Sequence, residues 1–287
     1  MDILDQTLIW NKKGIIQGPL ESDADFQKRA HYLESFKKTI SEFQQITEEE
    51  QEKGDRMVKE AFAKTRPLYD IEPIFVPIFF SNKQLSFFHG GTSWIVQIRD
   101  DDPIGAFIQL KKNKVPFYEA QEILVHELAH VGRMAYECPA FEEILAWRSS
   151  KNSFRRYCGP LFSSVKETAL LAFLLITLFL MDIFSLAFGN ESAFFMLQWF
   201  KIIPGVLIVL AGIRLYFRQR AFSSCLFKLQ NILGEAGSMA VIYRLSDQEI
   251  FRFSKESADQ ILSYAATNAE RSLRWKTLYA AYFFSFV

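Results

Sequence analysis

Two apolar runs constrain this chain more than any other feature. Thr168 to Phe188 carries one charge, Asp182, near its end. That is the length of a bilayer core, which a helix of about 20 residues crosses at ~1.5 Å per residue. Phe194 to Phe217 follows, with Lys201 near one end and Arg214 near the other, both able to snorkel. Only Gly189-Asn190-Glu191-Ser192-Ala193 separates them. Lipid offers backbone groups no hydrogen bonds, so both runs must be helices, and the short connection makes them a transmembrane helical hairpin. A pair of buried core helices is the rival reading. Two such runs in 287 residues are unusual in a water-soluble core.

Basic residues orient the hairpin. Lys151, Arg155, Arg156 and Lys166 precede the first run, and Arg214, Arg218, Arg220 and Lys228 cluster at the end of the second. The connecting loop has Glu191 and no Lys or Arg. An excess of basic residues marks the cytoplasmic side, so an integral membrane protein with two spans and cytoplasmic N- and C-terminal parts is expected. Three cysteines, Cys138, Cys158 and Cys225, are too few for a disulfide framework and agree with a reducing compartment. No Cys-x-x-Cys occurs, which argues against a thiolate zinc site. Met1-Asp2-Ile3-Leu4-Asp5 lacks the basic and apolar regions of a signal peptide. With 33 basic and 33 acidic residues, bulk charge argues against a nucleic-acid partner.

The chemistry concentrates in Gln121-Glu122-Ile123-Leu124-Val125-His126-Glu127-Leu128-Ala129-His130. Residues i and i+4 of a helix stand on one face, so His126 and His130 can reach one metal ion with Glu127 beside them. Two imidazoles on Zn²⁺, a carboxylate as general base and an open position for water make a hydrolytic site. The flanking residues are apolar nearly all round, which predicts a buried helix whose His, Glu and His need partners. No histidine follows His130, so the third ligand is expected to be a carboxylate. Pro139-Ala140-Phe141-Glu142-Glu143-Ile144-Leu145-Ala146-Trp147 supplies one on a second helix. Glu143 is the expected ligand and Glu142 the alternative; the other of the two serves the start of that helix, where the dipole favours acidic residues.

Here the chain resembles the gluzincin metallopeptidases, with H-E-x-x-H on one helix and a metal-binding Glu on the next. The resemblance covers about Ile74 to Trp147, and the interval from His130 to the Glu is shorter than in the thermolysin-like and aminopeptidase groups. It implies a peptidase in which the edge strand of a small sheet binds an extended substrate. Resemblance to the prenyl-protein and heat-shock membrane proteases is looser, because here H-E-x-x-H precedes both spans. A site-2 type protease fits less well, since Tyr118, Glu119, Gln121 and Glu122 are too polar for a span.

The expected fold class is α+β: mostly helical, with a small antiparallel sheet preceding the H-E-x-x-H helix and the transmembrane hairpin. Residues 1–66 form an N-terminal helical region. Phe26, Ala30, Leu33, Phe36, Ile40, Phe43 and Ile46 recur at helical steps, and a break between two helices falls near Thr47–Gly54, marked by Gly54. Residues 67–160 form the metallopeptidase core. Its strands come from Ile74–Phe80, Leu85–Phe88, Ser93–Ile98 and Ala106–Leu110, with His89-Gly90-Gly91-Thr92 as a hairpin turn. Pro116 starts the motif helix, which runs to about Tyr136. Residues 161–220 hold the spans. In 221–287 a helix ends near Gly234 or Gly237, Ser246 and Glu249 form a capping box, and one long helix runs from about Ser257 to Phe284.

These readings add up to a membrane-bound, zinc-dependent metallopeptidase with Zn²⁺ on His126, His130 and Glu143 and with Glu127 as general base. Its expected partners are a peptide or protein substrate and the lipid bilayer. A membrane-anchored interaction protein with a structural or inactive metal site is the alternative. The orientation is directly testable. In intact cells, a membrane-impermeant thiol reagent should label Ser192→Cys from outside and leave Cys158 unlabelled. The opposite pattern inverts the topology.

Overall fold

A computed structural model describes residues 2–43, 46–85, 90–112, 119–162, 165–188 and 191–283. The chain runs α1 (Ile3–Lys12), α2 (Asp23–Phe43), α3 (Glu48–Tyr69), β1 (Ile78–Phe80), β2 (Gly91–Val96), β3 (Gly105–Leu110), α4 (Ala120–Gly132), α5 (Glu142–Trp147) and α6 (Ser153–Cys158). A 3-10 turn, Gly159–Leu161, leads to α7 (Val165–Ala187), α8 (Glu191–Phe200) and α9 (Ile202–Tyr243). Then come α10 (Asp247–Phe253), α11 (Ala258–Ala269), α12 (Leu273–Leu278) and a π turn, Tyr279–Phe283. The class is α+β and mostly helical.

The amphipathic stripe of α2 folds inward as its spacing dictates: Phe26, Ala30, Leu33, Phe36 and Ile40 are all buried. The break after α2 falls at Thr47, whose hydroxyl accepts the Glu50 N–H and caps α3. Gly54 is not the break. It lies inside α3 against β1, where a Cβ would come within 3.1 Å of Ile78. α1 has no clear amphipathic signature and is missing from the sequence reading. Arg244 holds it instead, donating to Asn11 Oδ1 at 2.6 Å.

The sheet is mixed, which corrects the expected antiparallel one. Its order is β1-β3-β2, with β1 parallel and β2 antiparallel to β3. β3 is buried at every residue, so it takes the centre, and each short neighbour covers one edge. The reversal between β2 and β3 lies at 97–104, through the Asp100–Pro103 turn, and not at 89–92. Gly91 and Thr92 belong to β2, and Gly91 is small because Leu110 and Ile123 press on it: a Cβ would meet them at 2.8 and 2.9 Å. The residues Ser86–His89 lie outside the described residues, as does Pro116.

α4 lies between two apolar cores. Leu124, Val125, Leu128 and Val131 join the core shared with α2, α3 and the sheet, while Ala129 joins the core built by α5, α9 and the C-terminal helices. This is why the helix reads as apolar on nearly all sides. It ends at Gly132, one turn before the expected Tyr136, and α5 begins at Glu142 with Phe141 as N-cap, not at Pro139.

α7 and the α8–α9 pair contain two stretches long and apolar enough to cross a membrane, Lys166–Ala187 and Phe195–Tyr243, and little of either apolar window is buried. Pro204 accounts for the interruption at Lys201. Its ring removes the N–H that would bond to Phe200 and crowds that carbonyl. Lys201 pairs with Asp182 at 2.6 Å, and Arg214 makes two 2.7 Å bonds to Glu167. α9 then runs on without a break through Phe222, Cys225 and Leu229, all buried in the second core, until Gly234 turns it at φ 73°.

The Ser246–Glu249 capping box forms as expected. The long final helix does not: Ser272 caps a new start, separating α11 from α12. A buried ion pair joins α10 to α12. Arg274 donates to both Glu249 oxygens at 2.9 and 2.7 Å, and Trp275 Nε1 donates to the same carboxylate at 2.9 Å. Burial alone raises the Glu249 carboxyl, but the Arg274 charge and the hydrogen bonds from Arg274 and Ser246 outweigh it and hold it below its ordinary value. Such a carboxylate stabilises the fold above the ordinary glutamate pKa, and the contribution is lost as pH falls through the lowered value. At pH 7, Glu249→Gln should cost about 3 kcal/mol, because Arg274 stays buried and charged. The variant should also show a shallower loss of thermal midpoint than wild type on acidification below roughly pH 4. Thermal melts across pH in detergent check both.

Candidate metal centre

α4 presents His126, Glu127 and His130 toward α5 and β2. One turn upstream, Glu122 accepts from Ser150 Oγ and, at 3.2 Å, from Arg155, which ties the segment after α5 to the motif helix. The His126 ring lies against Trp147, the last residue of α5, with centroids 4.5 Å apart. The Nε2 atoms of His126 and His130 are 3.2 Å apart.

The adjacent glutamates of α5 separate by about 100° around the helix and meet different partners. Glu143 faces the histidines: its oxygens are 3.7 Å from His126 Nε2 and 3.6 Å from His130 Nε2. Glu142 goes to the far side of His130, with 3.1 Å to Nδ1, and accepts from Arg133 Nε at 2.8 Å. Arg133 is fully buried and also donates to the backbone oxygens of Tyr243 and Leu245. Tyr243 closes the back of α4 by donating to Ala129 O at 2.7 Å. Arg244, the next residue, is spent on Asn11, Tyr69, Asp70 and Ala240.

The carboxylate of Glu127 is held by β2, accepting the Ser93 N–H at 2.7 Å. β2 is an edge strand, so the general-base candidate sits beside the open side of the sheet. Electrostatics distinguishes the two histidines. Burial and the neighbouring His130 hold His126 well below its ordinary pKa, so it stays neutral. For His130 burial works the same way, but the bond to Glu142 and the charges of Glu143, Glu142 and Glu127 outweigh it and push the value up to about 9. Burial raises the Glu143 carboxyl, with Glu127 and Glu142 adding to the rise and His130 opposing it.

His126, His130 and Glu143 offer three donor atoms within 4.8 Å of one another. Two ligands at ~2.05 Å from one tetrahedral zinc stand roughly 3.3 Å apart, close to the 3.2 Å between the imidazole nitrogens. Glu142 on His130 Nδ1 matches the carboxylate–histidine arrangement that fixes a metal-ligating tautomer. His126 Nδ1 has no such partner among the described residues. His31 is elsewhere, against Trp10 and Glu34. Arg133, Trp147 and Ser93 escaped the sequence reading. Arg133 had a signal, a cation three residues after His130 in an otherwise apolar setting; Trp147 and Ser93 had none beyond their positions. Searches against protein-family models, curated proteins and solved structures found no match.

The two glutamates should respond differently to truncation. Glu142→Ala leaves Arg133 buried without a counter-charge and should cost about 3 kcal/mol. Glu143→Ala removes a carboxylate that burial disfavours on balance and that shares the His130 ring with Glu142, and should cost clearly less than Glu142→Ala in metal-free buffer. Equal losses would contradict the division of roles.

Proposed function

We propose that the chain is a membrane-integrated, zinc-dependent hydrolase of peptide bonds of gluzincin type, with His126, His130 and Glu143 as ligands. The observation that carries this reading is the convergence of those three donors beside Glu127 on a buried helix. A metal also resolves an otherwise awkward arrangement. Two imidazole nitrogens at 3.2 Å and a carboxylate share one small space, and a cation satisfies all three together. The two exposed apolar stretches require a nonaqueous cover, and two helices of this length suit a bilayer.

A bound Zn²⁺ supplies Lewis acidity, polarising a substrate carbonyl and acidifying the attacking water. The rest falls to side chains. Glu127, held by the Ser93 N–H, accepts the proton of the water as it attacks and returns it to the leaving amine. Glu142 keeps His130 in the tautomer that leaves Nε2 free, and Arg133 keeps Glu142 ionised and in place. Trp147 limits the swing of the His126 ring. β2 beside Glu127 offers free edge groups to an extended peptide.

Zinc content of detergent-purified protein tests the reading. Wild type should carry about one zinc per chain, and His126→Ala and Glu143→Ala should lose it. Glu142→Gln should retain it with affinity weakened roughly 10- to 100-fold. Glu127→Gln should keep the metal and lose turnover by about 10²-fold or more. Zinc-free wild type overturns the proposal, and an undiminished Glu127→Gln enzyme overturns the role of the base.

A further inference from the structure

We propose that α6 and the 3-10 turn after it form a foot lying in the headgroup layer of an anionic membrane, and that the substrate of the metal centre is a polypeptide segment held close to that surface. The substrate half rests on the hydrolase reading above; the foot does not. No side chain of α6 is buried. Phe154, Tyr157 and Cys158 are exposed and stand at i, i+3 and i+4, one face of the helix, with Phe154 73% accessible. Two exposed aromatic rings on one face of a six-residue helix suit the membrane interface, Tyr157 as an amphipathic ring and Phe154 as an apolar one.

The level of the foot follows from its contacts with α9. Gln219 donates to Tyr157 O at 3.4 Å, and Arg214 donates to Leu161 O at 3.5 Å. Residues 214–220 are where α9 passes from its apolar stretch into a basic one, with Arg214, Arg218 and Arg220, and where Tyr216 and Phe217 are exposed. Arg156 of α6 adds positive charge to the foot, and Lys151, 3.5 Å from Glu119, lies just before it. α6 therefore lies at the level where the apolar helices give way to charge. Three residues separate the 3-10 turn from α7, which makes the surface continuous with the first apolar stretch. Aromatic rings flanked by Lys and Arg fit an anionic headgroup layer.

The metal centre is tied to this foot at short range. Trp147 touches the His126 ring and also packs on Gly159, so tightly that a Cβ at Gly159 would stand 2.8 Å from the indole. Arg155 of α6 grips Glu122 of the motif helix. One indole thus touches both a candidate ligand and the foot. A substrate anchored in the same membrane therefore presents its extended chain close to the centre.

Two measurements on the full chain in nanodiscs containing phosphatidylglycerol test the proposal. A nitroxide on the native Cys158, in a Cys138→Ser background, should be shielded from a water-soluble nickel relaxant and accessible to oxygen. A nitroxide at Glu270→Cys, at the end of α11, should show the reverse. Equal exposure of the two labels to the nickel complex overturns the foot. For cleavage, one unstructured peptide is offered free, or joined through a short spacer to a single-span anchor in the same nanodisc. The anchored form should be cut about 10-fold faster or more, because the membrane raises its effective concentration at the site. Equal rates overturn the substrate half. Cleavage of neither form, with the Cys158 label at headgroup depth, overturns the hydrolase reading and the substrate half with it, and leaves the foot standing.

Discussion

The arrangement around the candidate centre depends on a guanidinium cut off from water. Arg133 is buried at the end of α4, and a buried cation is tolerated only with a counter-charge and hydrogen bonds. Glu142 supplies the charge, and the carbonyls of Tyr243 and Leu245 supply acceptors. That requirement draws α5 and the end of α9 onto α4 together. It also sets the rotation of α5. With Glu142 committed to Arg133 and His130 Nδ1, its neighbour Glu143 turns toward the two Nε2 atoms. A single electrostatic demand thus assigns different tasks to two identical adjacent side chains.

The same logic links distant parts of the chain. α4 is wedged between the N-terminal core and the core of α9 with the C-terminal helices, so its polar side chains face the narrow gap left to α5 and β2. α9 spans the apolar zone and the second core as one helix up to Gly234. Glu249, Arg274 and Trp275 lock α10 against α12 beneath it. Arg244 reaches from the end of α9 to α1 and α3, closing the N-terminal helices over the same core. Three buried arginines therefore join segments that are far apart in sequence.

Much of this was legible residue by residue. The helical spacing of Phe26, Ala30, Leu33, Phe36 and Ile40 named the buried face of α2, because periodicity is a local consequence of backbone geometry. The Ser246–Glu249 box was visible for the same reason. What failed were inferences from glycine and strand pairing. Gly54 and Gly91 read as a break and a turn, yet both are small because another element packs on them. The sheet read as antiparallel because short strands in succession usually pair with their neighbours; here the fully buried β3 took the centre, and β1 had to join its far edge in parallel.

By itself the sequence determined the motif helix, the His and Glu residues on one of its faces, the pair of glutamates that opens the next helix, and two stretches suited to a bilayer. Each of these follows from local spacing or composition. Only the tertiary structure set Glu143, and not Glu142, beside the two Nε2 atoms, because that placement rests on Arg133 and on carbonyls about 110 residues away, which no local pattern encodes. It alone brought Ser93 to Glu127 and Trp147 to both His126 and Gly159, since long-range packing, not spacing, sets which side chains meet across a core.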